Sequence, residues 1–435
     1  MTLTEEMAQA FDLIEDSDEN LYITGKAGTG KTTFLKYILQ NTKQNYVVAA
    51  PTGVAAINAG GMTLHSLFNI PMDIQSPTAE LKGHLNPARI ELFAKLDLLI
   101  IDEISMVRVD VIDYIDRKLR LYRLNGTPFG GVRLVMFGDL YQLPPVVKAG
   151  ERAVLMQYYR GAYFFYAQVF RRKGFRIIEL SHVFRQSDEN FIRILNNIRK
   201  YKMTNLDVSE LEKTRDRRAS ADYNNMHIHV CAYRRDVQKI NMERLGEATH
   251  HYQAVIEKDF KPTSAPCEQD LALRVGARVM TLVNDPHHLY YNGSLGEVLA
   301  LSDDKVTVKF DNGAVATIEK YKWVELEYQL KDGKIEAVEK GTCSQIPLAL
   351  AWAITIHKSQ GLTFNNVTLH IKNVFCPGQL YVALSRCRTL EGIICESYIG
   401  KKYVIPDNEL IAFDRACQKC GNVFDVNTYR SMCLR

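Results

Sequence analysis

The sequence predicts an α/β protein with two parallel-sheet lobes, the second interrupted by a small β-rich insertion. Three observations carry this. Short apolar strings alternate with helical patterns from Leu21 to about Phe170, and a second block of the same texture begins near Ile177. That block breaks off near Gly246, where β-type strings crowd together until about Gly341, and then resumes. The expected units are 1–176 for the first lobe, with a small insertion near 64–80, then 177–245 with 342–435 for the second, and 246–341 for the inserted β domain.

In the first lobe the strings LYIT, YVVAAP, LLIID and RLVMFGD are apolar on successive residues, as strands covered on both faces must be. Between them, Val111, Ile112, Ile115, Leu119 and Tyr122 recur at helical spacing. The second block offers the strand IIELSHVFR, a helix through FIRILNNIR, the strand MHIHVCAY and a helix from about Arg235. The insertion reads as VGARVMTLV, YYNGSLGEVLAL, KVTVKF, a turn at Asp311-Asn312-Gly313 and AVATIE. After it come IPLALAWAITIHKSQG, VTLHI and a helix carrying YVALSR.

A chain of 435 residues suits several domains. With 46% hydrophobic and 24% charged residues and no apolar run near the ~20 needed to cross a bilayer, no membrane span is expected. The acidic, amphipathic start lacks signal-peptide texture, so the expected location is the cytoplasm. A net charge of only +4 means that any track for nucleic acid is local. Nine scattered cysteines do not form a disulfide framework, and Cys417, Cys420 and Cys433 read as exposed thiols on a tail rather than a zinc hook. The run Lys213 to Arg218 reads as a solvated loop.

Gly25-Lys26-Ala27-Gly28-Thr29-Gly30-Lys31-Thr32 fits G-x-x-x-x-G-K-[ST] between an apolar strand and a helix, the context that makes this motif a phosphate loop. Backbone amides from Gly25 to Thr33 can curl around phosphate oxygens at a helix N-terminus. Lys31 then reaches the β and γ oxygens of ATP, and the Thr32 hydroxyl is placed to ligate Mg²⁺. LLIIDEISM delivers Asp102 and Glu103 to the end of a buried strand. Asp102 can hold magnesium through water, and Glu103 can orient and deprotonate the attacking water. A third strand leads into GDLYQLPP, where Gln142 could touch the γ-phosphate.

A phosphate loop says nothing about work done, so the accompanying strings decide. In order they are GKAGTGKT, APTGVAA, TLHSLF, DEISM, GDLYQLPP, ELSHVFRQ, AITIHKSQGLTF and QLYVALSR, and together they resemble superfamily 1 helicases, in particular the Pif DNA helicase family, a relative of RecD-type enzymes. The resemblance runs from about Leu21 to Arg388. It implies two RecA-like lobes around ATP, an SH3-like barrel as the insertion, and ATP-dependent 5′-to-3′ translocation on single-stranded DNA with unwinding of tailed, forked or G-quadruplex substrates by a monomer. It also assigns γ-phosphate contacts to Arg185 and Arg386, and an approach to the phosphates to Gly361. Either arginine taken alone would read as a surface cation.

For the strand itself, the resemblance points to Pro51, Thr52, Gly53, Thr63, His65, Ser66 and Phe68 in the first lobe, with His357 and Lys358 in the second. Small hydroxyls, amides, basic groups and aromatic faces are what a single strand needs. The sequence departs from the family at Met7, where a Gln usually reads the adenine edge. Two other readings stand beside the leading one: a RecD-like or RNA-acting helicase, and a nucleotide-gated binding switch that does not unwind.

Overall fold

The structure is a computed structural model and describes residues 3–433 apart from 79, 82–86, 187, 216–226 and 373. The first lobe holds β1 (Leu21–Gly25), β2 (Tyr46–Ala50), β3 (Met62–Thr63), β4 (Leu98–Ile101), β5 (Arg133–Phe137) and β6 (Phe175–Leu180). These strands pair in parallel in the order β6-β1-β5-β4-β2-β3. Because the strands run the same way, the loops after β1, β4 and β5 emerge at one edge, where ligands of open α/β sheets bind. Helix α1 (Glu5–Asp16) packs on the sheet, α2 (Lys31–Asn41) leaves the phosphate loop, and α3 (Gly53–Ala59) and α4 (Leu64–Phe68) follow β2 and β3. The helix Val109–Tyr122 buries Val111, Ile112, Ile115, Leu119 and Tyr122, as their spacing predicts.

The second lobe opens with β7 (Ile228–Cys231) and is then interrupted. The insertion comprises β8 (His250–Gln253), β9 (Val255–Lys258), β10 (Asp270–Leu273), β11 (Arg278–Thr281), β12 (Leu295–Leu301), β13 (Lys305–Phe310), β14 (Val315–Glu319), β15 (Tyr321–Lys331), β16 (Lys334–Gln345) and β17 (Leu348–Leu350). Its centre is an antiparallel sheet in the order β14-β13-β12-β11-β17, with Val279, Val298, Val308, Phe310 and Ile318 in its core. The expected turn at Asp311-Asn312-Gly313 joins β13 to β14, with Gly313 at φ +86°. The β15–β16 hairpin reaches back to the first lobe, where the Val48 amide donates to the Tyr328 hydroxyl at 2.9 Å. The chain then completes the second lobe with β18 (Ala353–Thr355), β19 (Val367–His370) and β20 (Ile393–Cys395), a parallel sheet ordered β18-β7-β19-β20.

Three expected boundaries move. The first lobe does not end at 176, because β6 pairs with β1 from Leu21↔Arg176 to Gly25↔Leu180 and supplies the phosphate strand's second neighbour. The insertion does not end at 341, because β16 runs on to Gln345 and β17 pairs with β11. Nor do residues up to 435 stay with the second lobe. The helix Asn408–Lys419, β21 (Val423–Phe424) and the helix Val426–Cys433 return to the first lobe, where β21 pairs antiparallel with β6 and the Phe413 ring stacks on Phe165 at 4.3 Å. That return buries Cys417, which was expected to be exposed; Cys420 is exposed. Of the run expected to be a solvated loop, Lys213 and Arg215 pair with Glu210 and Glu212, and positions from 216 on lie outside the described residues. Among the described residues, no helix is long and apolar enough to cross a membrane.

Candidate nucleotide cleft and strand-binding face

The loop after β1 turns through Gly28 and Gly30, at φ +83° and +82°, where residues with a Cβ are strained. Gly28 is required for a second reason: a Cβ there would lie 2.5 Å from the Cβ of Arg185. The loop is tied down on all sides. Thr29 Oγ1 donates to the Lys26 carbonyl at 3.0 Å, and Lys31 Nζ donates to the carbonyls of Gly25 (2.7 Å) and Lys26 (3.0 Å). The Ala27 amide donates to the Tyr381 hydroxyl of the second lobe at 2.9 Å. A cleft of about 530 Å³ runs from this loop to the second lobe, lined by Ala27–Thr33, Glu103, Gln142, Phe184, Arg185, Gly361 and Arg386 among others.

Electrostatics in the cleft follow from burial. Glu103 sits at φ +51°, and loss of solvent, reinforced by the Asp102 charge, raises its carboxyl to about 7. Burial also raises Asp102, partly offset by the Glu103 amide, which donates to its Oδ1 at 2.9 Å. Burial lowers Lys31, against the opposing pull of Asp139 and Glu103. Arg386 is 1% exposed, and burial together with Arg185 lowers it to about 9, which leaves it cationic at neutral pH. Its guanidinium is braced by the Val382 carbonyl (2.8 Å), the Ser359 carbonyl (3.1 Å) and Ser385 Oγ (2.8 Å). Arg185, on the connection between lobes, donates to the carbonyls of Ser385 (3.1 Å) and Gly361 (3.3 Å). Gln360 Nε2 closes the seam by donating to Glu103 Oε2 at 3.0 Å and Gln142 Oε1 at 3.1 Å.

The structure therefore brings the residues expected at the nucleotide to one cleft, apart from Gly25, which closes the loop beneath Lys31, and Asp102, which lies directly behind Glu103. Other groups escaped the sequence reading. Asp139, buried, is driven up by desolvation but held below the usual carboxylate range by Arg199 and Lys31, and it pairs with Arg199 at 3.0 Å across the lobes. Asp139, Gln360 and Tyr381 stand inside strings already singled out, GDLYQ, HKSQG and YVALSR, whereas nothing in FIRILNNIR distinguishes Arg199.

The strand-binding candidates divide. Thr52 and Thr63 cap α3 and α4, their side-chain oxygens accepting from the Ala55 (3.2 Å) and Ser66 (3.1 Å) amides, which leaves each O–H to donate outward. Pro51 precedes this cap, and His65 is partly buried and lowered by that burial and then by Arg108. Gly53 and Ser66 face the insertion: a Cβ on Gly53 would meet Ser264 at 2.6 Å, and Lys261 Nζ donates to Ser66 Oγ at 3.0 Å. His357, lowered by burial, lines an interlobe groove of about 550 Å³ with Val146 and Phe375, and Lys358 is exposed. Phe68 does not belong to this face. It is fully buried and stacks on Phe93 at 5.2 Å, because the short helix α4 turns it into the lobe's core.

Two parallel-sheet lobes, a glycine-rich phosphate loop on one and a buried arginine from the other in the same cleft define a two-lobed, RecA-like P-loop NTPase. The model of the PIF1-like helicase family matches residues 2–209. ATP-dependent DNA helicase Pif1 of Bdellovibrio bacteriovorus is 31% identical over 90% of this chain and 87% of its own length. ATP-dependent DNA helicase PIF1 of Mus musculus is 33% identical over 90% of this chain, which spans only 59% of that relative. Among solved structures, Bacteroides sp. Pif1 in complex with ADP-AlF4 aligns with a TM-score of 0.93 at 53% identity, and Bacteroides Pif1 bound to ssDNA with 0.73 at 52%. Each alignment covers 98% of this chain and 99% of that one. The chain belongs to the PIF1-like helicase family.

Proposed function

We propose that this chain hydrolyses ATP to move 5′ to 3′ along single-stranded DNA and so unwinds tailed, forked and G-quadruplex DNA. The observation that carries the reading is the seam itself: Lys31 and Glu103 from one lobe, Arg386 from the other and Arg185 from the connection line one cleft. Glu103, once ionised, orients water and accepts its proton, while the two arginines balance charge on the transferring phosphoryl group. Thr32 and Asp102 would hold Mg²⁺, for which two hard oxygen donors are suitable, and the ion supplies charge neutralisation on the phosphates when bound. Groups from both lobes grip the γ-phosphate only when the cleft is shut, so hydrolysis releases the closure.

For the strand, the O–H groups of Thr52 and Thr63, with His65, His357 and Lys358, support a track across both lobes. The insertion, whose antiparallel sheet supports the SH3-like reading, must leave Gly53 and Ser66 for that track to open. The lower score against the ssDNA-bound Bacteroides helicase, at equal coverage, supports such an opening. The test is strand separation of duplexes carrying a 5′ or a 3′ tail, with and without ATP and magnesium. Separation of the 5′-tailed duplex alone, lost in Lys31→Ala, is expected. Preference for the 3′ tail, or unwinding by Lys31→Ala, overturns the reading, and stronger stimulation of ATPase by RNA than by DNA reassigns the substrate.

A further inference from the structure

Gln142 reaches the cleft from a turn, and what holds that turn is shared between the lobes. The turn is closed internally, the Tyr141 amide donating to Asp139 Oδ1 at 3.1 Å and the Gln142 amide to the Asp139 carbonyl at 2.9 Å. From the second lobe, Gly378 packs so closely that a Cβ there would lie 1.8 Å from the Gln142 carbonyl oxygen. The Tyr141 side chain, 6% exposed, lies outside the cleft lining. The Arg199 guanidinium stands 4.6 Å from its ring centroid and the Lys200 ammonium 4.3 Å. Its hydroxyl donates to Asp414 Oδ2, which also takes Lys200 Nζ at 2.6 Å.

These partners come from three places. Tyr141 belongs to the loop after β5, and Lys200 closes the helix Glu189–Arg199 of the second lobe. Asp414 stands on the helix Asn408–Lys419, whose Leu410, Phe413 and Cys417 are buried in the first lobe's core. Asp407 fixes that helix further: it accepts from the Glu409 and Leu410 amides and takes the Tyr163 hydroxyl at 2.7 Å. A partly exposed ion pair contributes little by itself, and the Lys200 and Asp414 side chains are 38% and 27% exposed. What distinguishes this pair is the tyrosine it shares, which is joined through one peptide bond to Gln142.

Resting on the reading of the cleft as an ATPase site, we propose that Asp414 is a positioning residue for the γ-phosphate contact: by holding Tyr141 and Lys200 together when the lobes are closed, it aims Gln142 into the cleft. The helix that carries Asp414 is thereby part of the coupling between nucleotide and lobe closure.

Equilibrium titrations in magnesium with ADP, and with ADP plus aluminium fluoride as the γ-phosphate mimic, test this, because Gln142 gains its contact only with the mimic. Asp414→Ala and Tyr141→Phe are expected to leave ADP affinity within about twofold and to weaken the mimic complex by about five- to tenfold, a hydrogen-bond-sized loss. With single strands present, kcat for ATP should fall by a like factor at unchanged KM. Gln142→Ala should show the same loss, and adding Asp414→Ala to it should cost nothing further, since the effect runs through Gln142. A merely structural role would weaken both complexes alike or add to Gln142→Ala, and either result, or an unchanged ratio of the two affinities, overturns the proposal. Tyr141→Phe, which removes only the hydroxyl, decides the matter if Asp414→Ala does not fold. Binding of neither complex by the unaltered chain overturns the ATPase reading itself, so the two failures are distinct.

Discussion

Glu103 concentrates the chemistry of this cleft in one side chain. It is buried, and its carboxyl is raised from the ordinary 4.5 to about 7 by desolvation and then by Asp102, so its basic form builds up as pH climbs through about 7. Turnover should rise with pH through an inflection near 7, measured as strand-stimulated ATPase at fixed salt. In Glu103→Gln the inflection should vanish and the rate fall by about 10²–10⁴-fold. The stability consequence has the opposite sign. A carboxyl raised in the folded state contributes stability that is complete below the unfolded value of about 4.5 and is lost as pH climbs through about 7. Glu103→Gln should therefore raise the melting temperature at pH ~8 more than at pH ~5, and an equal change at both would contradict the assignment of the raised carboxyl to this residue.

At the scale of elements, the pair between Arg199, on the helix Glu189–Arg199, and Asp139, in the loop after β5, joins the lobes within electrostatic reach of Lys31. Arg199→Met leaves Asp139 buried without its paired cation and should cost about 3–5 kcal/mol. Asp139→Asn in the same chain should return much of that loss, read as denaturant midpoints of the single and double variants. The phosphate loop and the carboxylates after β4 were legible in the sequence because local backbone geometry fixes both: glycines where φ is positive, and a strand that delivers its acids to one edge. Arg199 was not, because its partner lies sixty positions away and its own helix marks nothing. The return of Phe413 and Phe424 to the first lobe was hidden for the same reason, since apolar patterning states that a face is buried and is silent about which lobe covers it. Phe68 misled because an aromatic beside candidate strand contacts looks like a base platform, while α4 rotates it inward. Phe68→Ala should cost about 3–5 kcal/mol of stability, seen in the melting temperature. Affinity for single strands, measured well below that temperature, should stay within about twofold.

On the scale of the whole molecule, the insertion is both partner and obstacle to the first lobe. Its loop holds Ser66 through Lys261 and packs Ser264 on Gly53, while its hairpin anchors to β2 through Tyr328, whose hydroxyl takes the Val48 amide at 2.9 Å and donates to the Val48 carbonyl at 3.4 Å. The two attachments are chemically separable, because the Tyr328 hydroxyl bonds only to the Val48 backbone and to none of the side chains proposed for the strand. If the strand can reach Gly53 and Ser66 only after the insertion leaves, each attachment subtracts from strand affinity the energy needed to break it. Tyr328→Phe removes a hydrogen-bonding hydroxyl worth about 0.5–1.5 kcal/mol net, so the affinity of the nucleotide-free protein for an oligothymidine should rise by about two- to tenfold. Fluorescence anisotropy at constant salt reads this directly, and the gain should persist with salt, since no charge is altered. An unchanged or weakened affinity in a variant of normal melting temperature would mean that the strand enters with the insertion in place, and the covered residues Gly53 and Ser66 would then leave the binding track.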